Sequence, residues 1–294
     1  MAKETIYYVG PEREHTSLVQ LFLDLKEDER EKTIYIDAGT YDIFREYKDA
    51  SIPTPPDDVA IPDYFTYNAF LPPNTKLIGT GNVVLRFAPS AEEVTYGESR
   101  TWSPLNILGA CHIENIEIYC KNGRYCIHDD SHNRYQNTTH FYKNVRCIYE
   151  WGDIKNEQQL GMNFTTGNGM AEGCTFVFED CAFSFIGGNR PAFYTHECAG
   201  EDTDNAPTLT FKNCHFSGNE ETGKTIMLQS VTGVNMQIPT RIEDCQIGGG
   251  IYFMLYSDSS KQHYDVTVIG DKNPPLLINR DINPYPIKFV ERGD

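Results

Sequence analysis

Phe178-Glu179-Asp180-Cys181-Ala182-Phe183 is the clearest copy of a short pattern that recurs along this 294-residue chain. An apolar residue and Lys or Glu precede Asn or Asp; a small apolar residue or Cys, any residue, and a second apolar or aromatic residue follow it. The pattern occurs at Ile113–Ile118, Tyr142–Cys147, Phe178–Phe183, Phe211–Phe216 and Ile242–Ile247. Successive Asn or Asp positions are 29, 36, 33 and 31 residues apart. This irregular spacing is typical of stacked coils whose loops vary in length.

The repeat predicts one all-β domain over residues 1–294, because a unit of alternating apolar and polar residues buries its apolar face only against neighbouring units. Apolar residues at helical spacing behind Thr16 and Ser17 predict an amphipathic helix over about 16–31, which would cap the exposed end of the stack. Coils are expected over about 33–270. Residues 271–294 are expected to form an irregular tail.

Charge and composition exclude several classes of partner. The chain has 42 acidic and 25 basic residues, a formal net charge of −17, which repels phosphate backbones and anionic membranes. Acidic polysaccharide would also be repelled unless Ca²⁺ or a local basic patch intervened. We therefore predict no nucleic-acid partner. We also predict no membrane insertion and no signal peptide, because the N-terminus lacks a secretory pattern and no apolar run is long enough to cross a bilayer.

Nine cysteines without a CxxC pair indicate thiols rather than disulfides in a chain of this size. Cys181, Cys214 and Cys245 fall at the repeat position that Ile116 and Val145 occupy in earlier copies. We interpret them as buried core filler. A metal site or a disulfide ladder is the alternative.

The predicted helix, followed by Ile34-Tyr35-Ile36-Asp37-Ala38-Gly39-Thr40-Tyr41 and by the coils, resembles the pectin lyase-like superfamily over about residues 5–270. The resemblance implies a single-stranded right-handed parallel β-helix with an N-terminal capping α-helix. The Gly-Thr-Tyr opening and Asn74–Gly79 look most like bacteriophage and prophage members. That likeness implies a virion protein made in the host cytoplasm, with a homotrimer or other virion proteins as partners.

In such helices Asn and Asp stack at a turn, and we assign that structural role to Asn115, Asn144, Asp180, Asn213 and Asp244, because their short side chains tolerate left-handed backbone. A metal-binding row is the alternative.

Alignment of the coils on these positions predicts a second strand in each coil and an outer strip of polar strand ends. The strip contains His128, Asp129, Asp130, Thr165, Thr166, His196, Glu197 and Gln229, with Tyr125, Trp151 and Tyr252 nearby. Aromatic faces and hydrogen-bonding groups on a flat β surface are typical of sugar binding. The predicted glycan-binding residues are therefore His128, Thr165, His196, Gln229, Tyr125, Trp151 and Tyr252. Ordinary solvated turn ends are the alternative.

If the strip is catalytic, Asp129 or Asp130 would act with Glu197 as acid and base across a glycosidic bond. The hydrolases and lyases of the resembling superfamily carry fuller motifs, of which only Asp129-Asp130 has a counterpart here. The Ca²⁺-binding carboxylates and the arginine base of the lyases have no convincing counterpart here, although Arg124, Arg134 or Arg190 could stand in the place of the base. We predict no cofactor, with Ca²⁺ left open.

His128, Asp130 and His132 alternate along one strand and suggest a metal site, with a solvated or hydrogen-bonded turn as the alternative. Without a further ligand the sequence does not predict a metal centre there.

The sequence thus leaves three hypotheses for function. The first is a phage or prophage tail protein that recognises bacterial surface polysaccharide. The second is a polysaccharide lyase or glycoside hydrolase that uses Asp129, Asp130 and Glu197. The third is a purely structural virion component.

Overall fold

The computed structural model describes residues 5–57, 65–130, 135–152, 154, 164–199, 204–230, 236–255, 262–270, 277–278 and 287–291. Three short helices occur among them: α1 (Leu18–Asp24), α2 (Ile43–Asp49) and α3 (Tyr96–Thr101). Everything else of regular structure is strand, apart from isolated helical turns.

Fifteen strands form the larger sheet. They are β1 (Thr5–Val9), β2 (Lys32–Ile36), β3 (Gly39–Asp42), β4 (Thr75–Gly79), β5 (Val83–Phe87), β7 (Cys111–Lys121), β9 (Thr139–Glu150), β11 (Thr175–Glu179), β12 (Ala182–Ile186), β14 (Thr208–Lys212), β15 (His215–Ser217), β17 (Met236–Glu243), β18 (Gln246–Ile247), β20 (Gln262–Gly270) and β22 (Lys288–Glu291).

Seven strands form the second sheet. They are β6 (Leu105–Ile107), β8 (Tyr125–Asp130), β10 (Phe164–Ala171), β13 (Phe193–Ala199), β16 (Ile226–Ser230), β19 (Gly250–Leu255) and β21 (Leu277–Ile278).

Each strand in both sheets pairs in parallel with the strand one coil away. Parallel neighbours of this kind are separated in sequence by a full turn of the coil, and the crossover is right-handed. The predicted fold is therefore confirmed: the chain is a right-handed parallel β-helix with an N-terminal capping helix.

The five Asn and Asp positions of the repeat form the predicted column. All have left-handed backbone, with φ of 59° at Asn115, 51° at Asn144, 55° at Asp180, 52° at Asn213 and 53° at Asp244. Two neighbouring pairs bond side chain to side chain: Asn144 Nδ2 donates to Asn115 Oδ1 at 2.8 Å, and Asn213 Nδ2 donates to Asp180 Oδ1 at 2.7 Å. The column bends the long strands β7 and β9 in the first two of these coils and lies between two shorter strands in the last three.

The interior is built from rows of identical or similar side chains. Tyr142, Phe178 and Phe211 stack with ring centroids 4.6 and 5.2 Å apart. Cys181 and Cys214 are buried free thiols, as predicted, and Cys245 is a half-buried free thiol in the same row. Because parallel coils repeat at the strand spacing of about 4.8 Å, flat rings in register meet face to face.

The N-terminal end differs from the prediction in length and in number of helices. The predicted helix over 16–31 is only α1, which begins after its N-cap Ser17 and ends at Asp24. The turn after α1 is not helical. In it, the backbone carbonyl of Asp28 accepts a hydrogen bond of 2.7 Å from the buried Lys32 Nζ. A second helix, α2, begins at Ile43, and its N-cap Asp42 accepts from the backbone amide of Arg45.

The two short helices pack together at this end. In α2, Glu46 accepts from the Ser17 hydroxyl at 2.8 Å and from the Val19 amide at 2.9 Å. The carboxylate thus caps the start of α1 from the side, where unpaired amides favour negative charge.

At the other end, the described parts of the predicted irregular tail continue the coils. Leu277–Ile278 pairs with β19 and Lys288–Glu291 pairs with β20. The prolines that break the sequence rhythm at 274, 275, 284 and 286 lie outside the described residues. In the part of the chain that the structure describes, no helix has the length and apolar character needed to cross a bilayer.

Replacing Asn144 by Ala should lower the free energy of unfolding by about 1–2 kcal/mol, because Ala disfavours left-handed backbone and cannot bond Asn115. Urea unfolding with an unchanged slope would measure the loss. Asn144→Gly is the matched control, since it keeps the backbone conformation and removes only an exposed hydrogen bond. Equal losses in both variants would contradict the conformational role of the column.

Candidate functional site

The outer face of the second sheet carries a row of aromatic and methionine side chains. Tyr194 pairs in register with Met227, and Met227 with Tyr252. Their strand neighbours Phe193 and Leu228 are fully buried in the interior. Because successive residues of a strand point to opposite faces, the row faces outward. Tyr125, Tyr194 and Met227 form one apolar cluster with Tyr252 and Met254, separate from the main core.

This row forms the floor of a groove of about 360 Å³. The walls come from the turns that connect the larger sheet to β13 and to β16. The lining residues are Asn189, Arg190, Pro191, Tyr194, Asn219, Thr222, Lys224, Met227, Tyr252 and Met254. We call this site the aromatic groove.

The charged side chains that line the aromatic groove are both cationic. Lys224 Nζ lies 4.3 Å from the centroid of the Tyr252 ring, and the Arg190 guanidinium lies 5.9 Å from that of Trp151. Burial lowers the pKa of Arg190, but an arginine begins so far above neutrality that it stays charged. Among the described lining residues there is no carboxylate. The charged residues of the described lining are thus basic, on a protein whose formal charge is −17.

Hydrogen bonds hold the floor of the groove in place. The Tyr194 hydroxyl donates to Gln229 Oε1. The backbone amide of Gln229 donates to Thr195 Oγ1 at 3.1 Å, and the Tyr264 hydroxyl donates to the backbone carbonyl of Gln229 at 2.9 Å. Tyr264 also shares a 2.8 Å hydrogen bond with Thr195. Gln229 is therefore a positioning residue, which ties the Tyr194 ring to the interior of the coil.

A glycine makes room for the aromatic ring at the other end of the cluster. A Cβ at Gly167 would lie 2.7 Å from Tyr125 Cζ, so the Tyr125 ring lies directly over the Gly167 backbone. The same ring stacks on His128 with centroids 5.1 Å apart. The Arg124 guanidinium lies 5.1 Å from the ring centroid. Only a residue without a side chain fits beneath Tyr125 here.

Four predicted glycan-binding residues belong to this region. Tyr252 lines the aromatic groove, Trp151 contacts its wall through Arg190, Gln229 fixes Tyr194, and Tyr125 belongs to the apolar cluster. Their role in binding stays a prediction.

Other predicted positions do not form the outer strip. Thr165 and Thr166 are wholly buried, and Thr165 Oγ1 donates to the Ser184 carbonyl at 3.4 Å. His128 is only 2% exposed, beneath Tyr125. His196 and Glu197 lie in β13, but their side chains are outside the described part of the structure. The roles predicted for His196 and Glu197 therefore stay predictions.

The predicted acid–base residues are also not together on the surface. Asp129 is fully buried inside the coil, where it accepts from the Tyr142 hydroxyl and lies 2.9 Å from His140 Nδ1. Burial disfavours the charged form of His140, but the neighbouring Asp129 carboxylate outweighs it and raises the pKa of His140 well above its usual value. Asp130 is half-buried, with Oδ2 3.9 Å from His128 Nε2. His132, the third predicted metal ligand, lies outside the described residues.

The predicted outer strip does not form, because the sequence alignment gave the strands of the second sheet the wrong register. The sequence alignment places Asp129 beside Thr165, whereas the structure pairs it with Asn168, and Asn168 with Thr195. A shift by an odd number of residues turns every side chain to the opposite face. The outward strand residues Tyr194, Met227 and Met254 were missed for this reason, and Lys224 was missed because it lies in the turn before β16. The continuous apolar runs at 192–194 and 251–255, which are apolar on both faces of a strand, were the signal that could have found the outward row.

Comparisons with known proteins give limited similarity. No protein-family model matches the sequence, and no curated protein matches it. Among solved structures, a pectin methylesterase from Aspergillus niger in deglycosylated form aligns over 100% of this chain and 88% of its own, with 11% identity and a TM-score of 0.44. Escherichia coli YbhC aligns over 100% and 86%, with 12% identity and a TM-score of 0.42. Similarity at this level says nothing about activity.

Replacing Gly167 by Ala should lower the free energy of unfolding by about 1–3 kcal/mol, because the new methyl group overlaps the Tyr125 ring. Urea unfolding would measure the loss, and the near-ultraviolet circular dichroism of the tyrosines would report the displaced ring. The same substitution in a Tyr125→Leu background is the control and should cost clearly less. A cost that is equal in both backgrounds would show that Tyr125 does not occupy this space.

Proposed function

We propose that this chain binds an acidic oligosaccharide in the aromatic groove. The observation that carries the proposal is the combination of Tyr252 and Met254 on the floor with Lys224 and Arg190 at the sides. Apolar side chains contact the faces of sugar rings, and cations at the rim pair with carboxylates of a uronate unit. The Asn189, Asn219 and Thr222 side chains of the walls supply groups that hydrogen-bond hydroxyls.

The two cationic residues of the groove, rather than the charge of the whole chain, support an acidic ligand over a neutral glycan. The whole chain carries a formal charge of −17, so a polyanion is repelled from most of its surface. A groove whose charged lining residues are Lys224 and Arg190 is the local basic patch that an acidic sugar requires. Repulsion elsewhere would also confine such a ligand to the groove.

Binding fits the residues of the groove better than hydrolysis does. Glycosidases of the usual kind place two carboxyl groups on either side of the scissile bond. The described lining residues include none, and Asp129 is enclosed in the coil. We therefore propose recognition without cleavage.

The sequence resemblance to phage and prophage proteins adds a finer proposal. We propose that the natural ligand is a bacterial surface polysaccharide and that the chain acts within a phage or prophage particle, as a homotrimer or with other virion proteins. Sedimentation equilibrium of the purified chain and adsorption to encapsulated bacteria would test these two parts separately.

The binding proposal is tested with uronate-containing oligosaccharides and their carboxyl-reduced neutral forms. Calorimetry should detect binding of the acidic form only. Lys224→Gln should weaken it about tenfold to a hundredfold, because a hydrogen bond to a charged group contributes about 1.5–3 kcal/mol. Tyr252→Ala should weaken it as well, through lost contact with the sugar ring.

Lys212→Gln is the matched control, since it makes the same charge change at an exposed site on the larger sheet and should leave binding unchanged. Equal binding of acidic and reduced oligosaccharides, or equal effects of Lys224→Gln and Lys212→Gln, would refute the proposal. Release of new reducing ends or of unsaturated uronides would favour the enzyme hypothesis instead.

A further inference from the structure

Three potential metal ligands meet inside the coil, away from the aromatic groove. Cys111 comes from β7, His140 from the paired position of β9, and Asp129 from β8 in the opposite sheet. One ligand atom from each side chain lies within 4.8 Å of the other two. His140 Nδ1 is 3.8 Å from Cys111 Sγ and 2.9 Å from Asp129 Oδ2. We call this group the interior cluster.

The hydrogen bonds around His140 fix the direction of its proton. Thr138 Oγ1 lies 2.9 Å from the Tyr135 carbonyl, which only accepts, so the hydroxyl donates there. The same oxygen lies 3.0 Å from His140 Nε2 and must accept from that nitrogen. In the neutral imidazole, Nδ1 then turns a lone pair toward the Asp129 carboxylate. This contact is favourable only with a positive centre, a proton or a metal ion, at Nδ1.

Unpartnered polar atoms in the same interior rows are a second, independent observation. Asp129 Oδ1 has no hydrogen-bond partner in the described structure, and neither does the Oδ1 or the Nδ2 atom of Asn168. Asn168 is the neighbour of Asp129 in the next coil, and the two side chains are 1% and 0% exposed. Buried polar atoms without partners are costly, and a bound ion or ordered water is the usual reason that they are retained.

The donor set identifies the class of ion. A thiolate sulfur, an imidazole nitrogen and a carboxylate oxygen are the ligands that Zn²⁺ binds in tetrahedral sites. Ca²⁺ and Mg²⁺ prefer oxygen alone. With metal–ligand bonds of about 2.0–2.3 Å, tetrahedral ligand atoms lie roughly 3.3–3.8 Å apart. The Cys111–His140 separation already has this size, and the His140–Asp129 separation would open by a few tenths of an ångström.

Cys111 is the member of the interior cluster nearest to solvent, with 6% of its surface exposed. Cys111 lines a groove of about 300 Å³ on the larger sheet, together with Glu31, Thr75 and His112. Asp129 and His140 lie behind it and are fully buried.

We propose that Cys111, Asp129 and His140 bind one Zn²⁺ ion, or a closely related divalent transition metal, inside the coil. Asn168, or a water molecule that it holds, completes the coordination. The ion joins the two sheets across the interior and so stabilises the coils that carry the cluster. This inference is independent of sugar binding in the aromatic groove.

The test uses the full chain after treatment with a chelator. Titration with Co²⁺, a spectroscopic substitute for Zn²⁺, should give one equivalent of tetrahedral d–d absorption together with a sulfur-to-cobalt charge-transfer band. Zn²⁺ should displace the Co²⁺ spectrum and raise the unfolding temperature. Cys111→Ser should abolish the charge-transfer band, whereas Cys181→Ser, which removes another buried thiol, should retain it.

Zinc X-ray absorption of the unmodified protein makes the test independent of variants that fail to fold. One sulfur with two or three nitrogen or oxygen ligands supports the site. A shell without sulfur, the absence of a Co²⁺ thiolate band, or a band that persists in Cys111→Ser would overturn the proposal. Those results would leave the interior cluster as a protonated His140–Asp129 pair.

Discussion

The left-handed turn at one residue of each coil is the constraint on which the rest of this molecule depends. The amide of Asp180 donates to the Lys212 carbonyl at 3.0 Å, that of Asn213 to Glu243 at 2.8 Å and that of Asp244 to Ile269 at 2.9 Å. Each turn is thus bonded to the strand of the following coil. Since Asn and Asp tolerate this backbone conformation better than other residues with a side chain, the repeat keeps successive coils in register at the same corner.

Strict stacking converts positions in the chain into rows, and the rows differ in character. Most interior rows are apolar or aromatic, as in the stack of Phe183 on Phe216 with centroids 5.2 Å apart. Buried polar side chains interrupt two rows: Asp129 is followed by Asn168 and Thr195, and His140 lies between Cys111 and Phe176. On the outside of the second sheet, the Tyr194, Met227 and Tyr252 row is apolar. Asp129 and His140 belong to the interior cluster, and the outward apolar row forms the floor of the aromatic groove.

The larger sheet was predictable because the repeat lies within it. The Asn and Asp column and the buried cysteines follow from spacing and residue type alone, since both occupy fixed offsets from a turn that every coil shares. Helices α2 and α3 were not predictable in the same way. The capping box between Thr95 and Glu98 is a local signal for the start of α3 (Tyr96–Thr101), but the ion pair of buried Glu98 with Lys48 of α2 is not local. Contacts of this kind become visible only when distant segments are brought together.

The amino-acid sequence by itself determined that the chain coils, where each coil turns and which residues fill the rows beside that turn, because these features depend on local backbone preference and on a repeated offset. Only the tertiary structure decided the register of the second sheet, since loops of different length separate it from the turn in each coil. The physical reason is the two-residue period of a strand. A register that differs by an odd number of residues exchanges the two faces of a strand. The observed register puts Asp129 inside the coil and turns Tyr194 and Met227, each 7% exposed, toward the outer face of the second sheet.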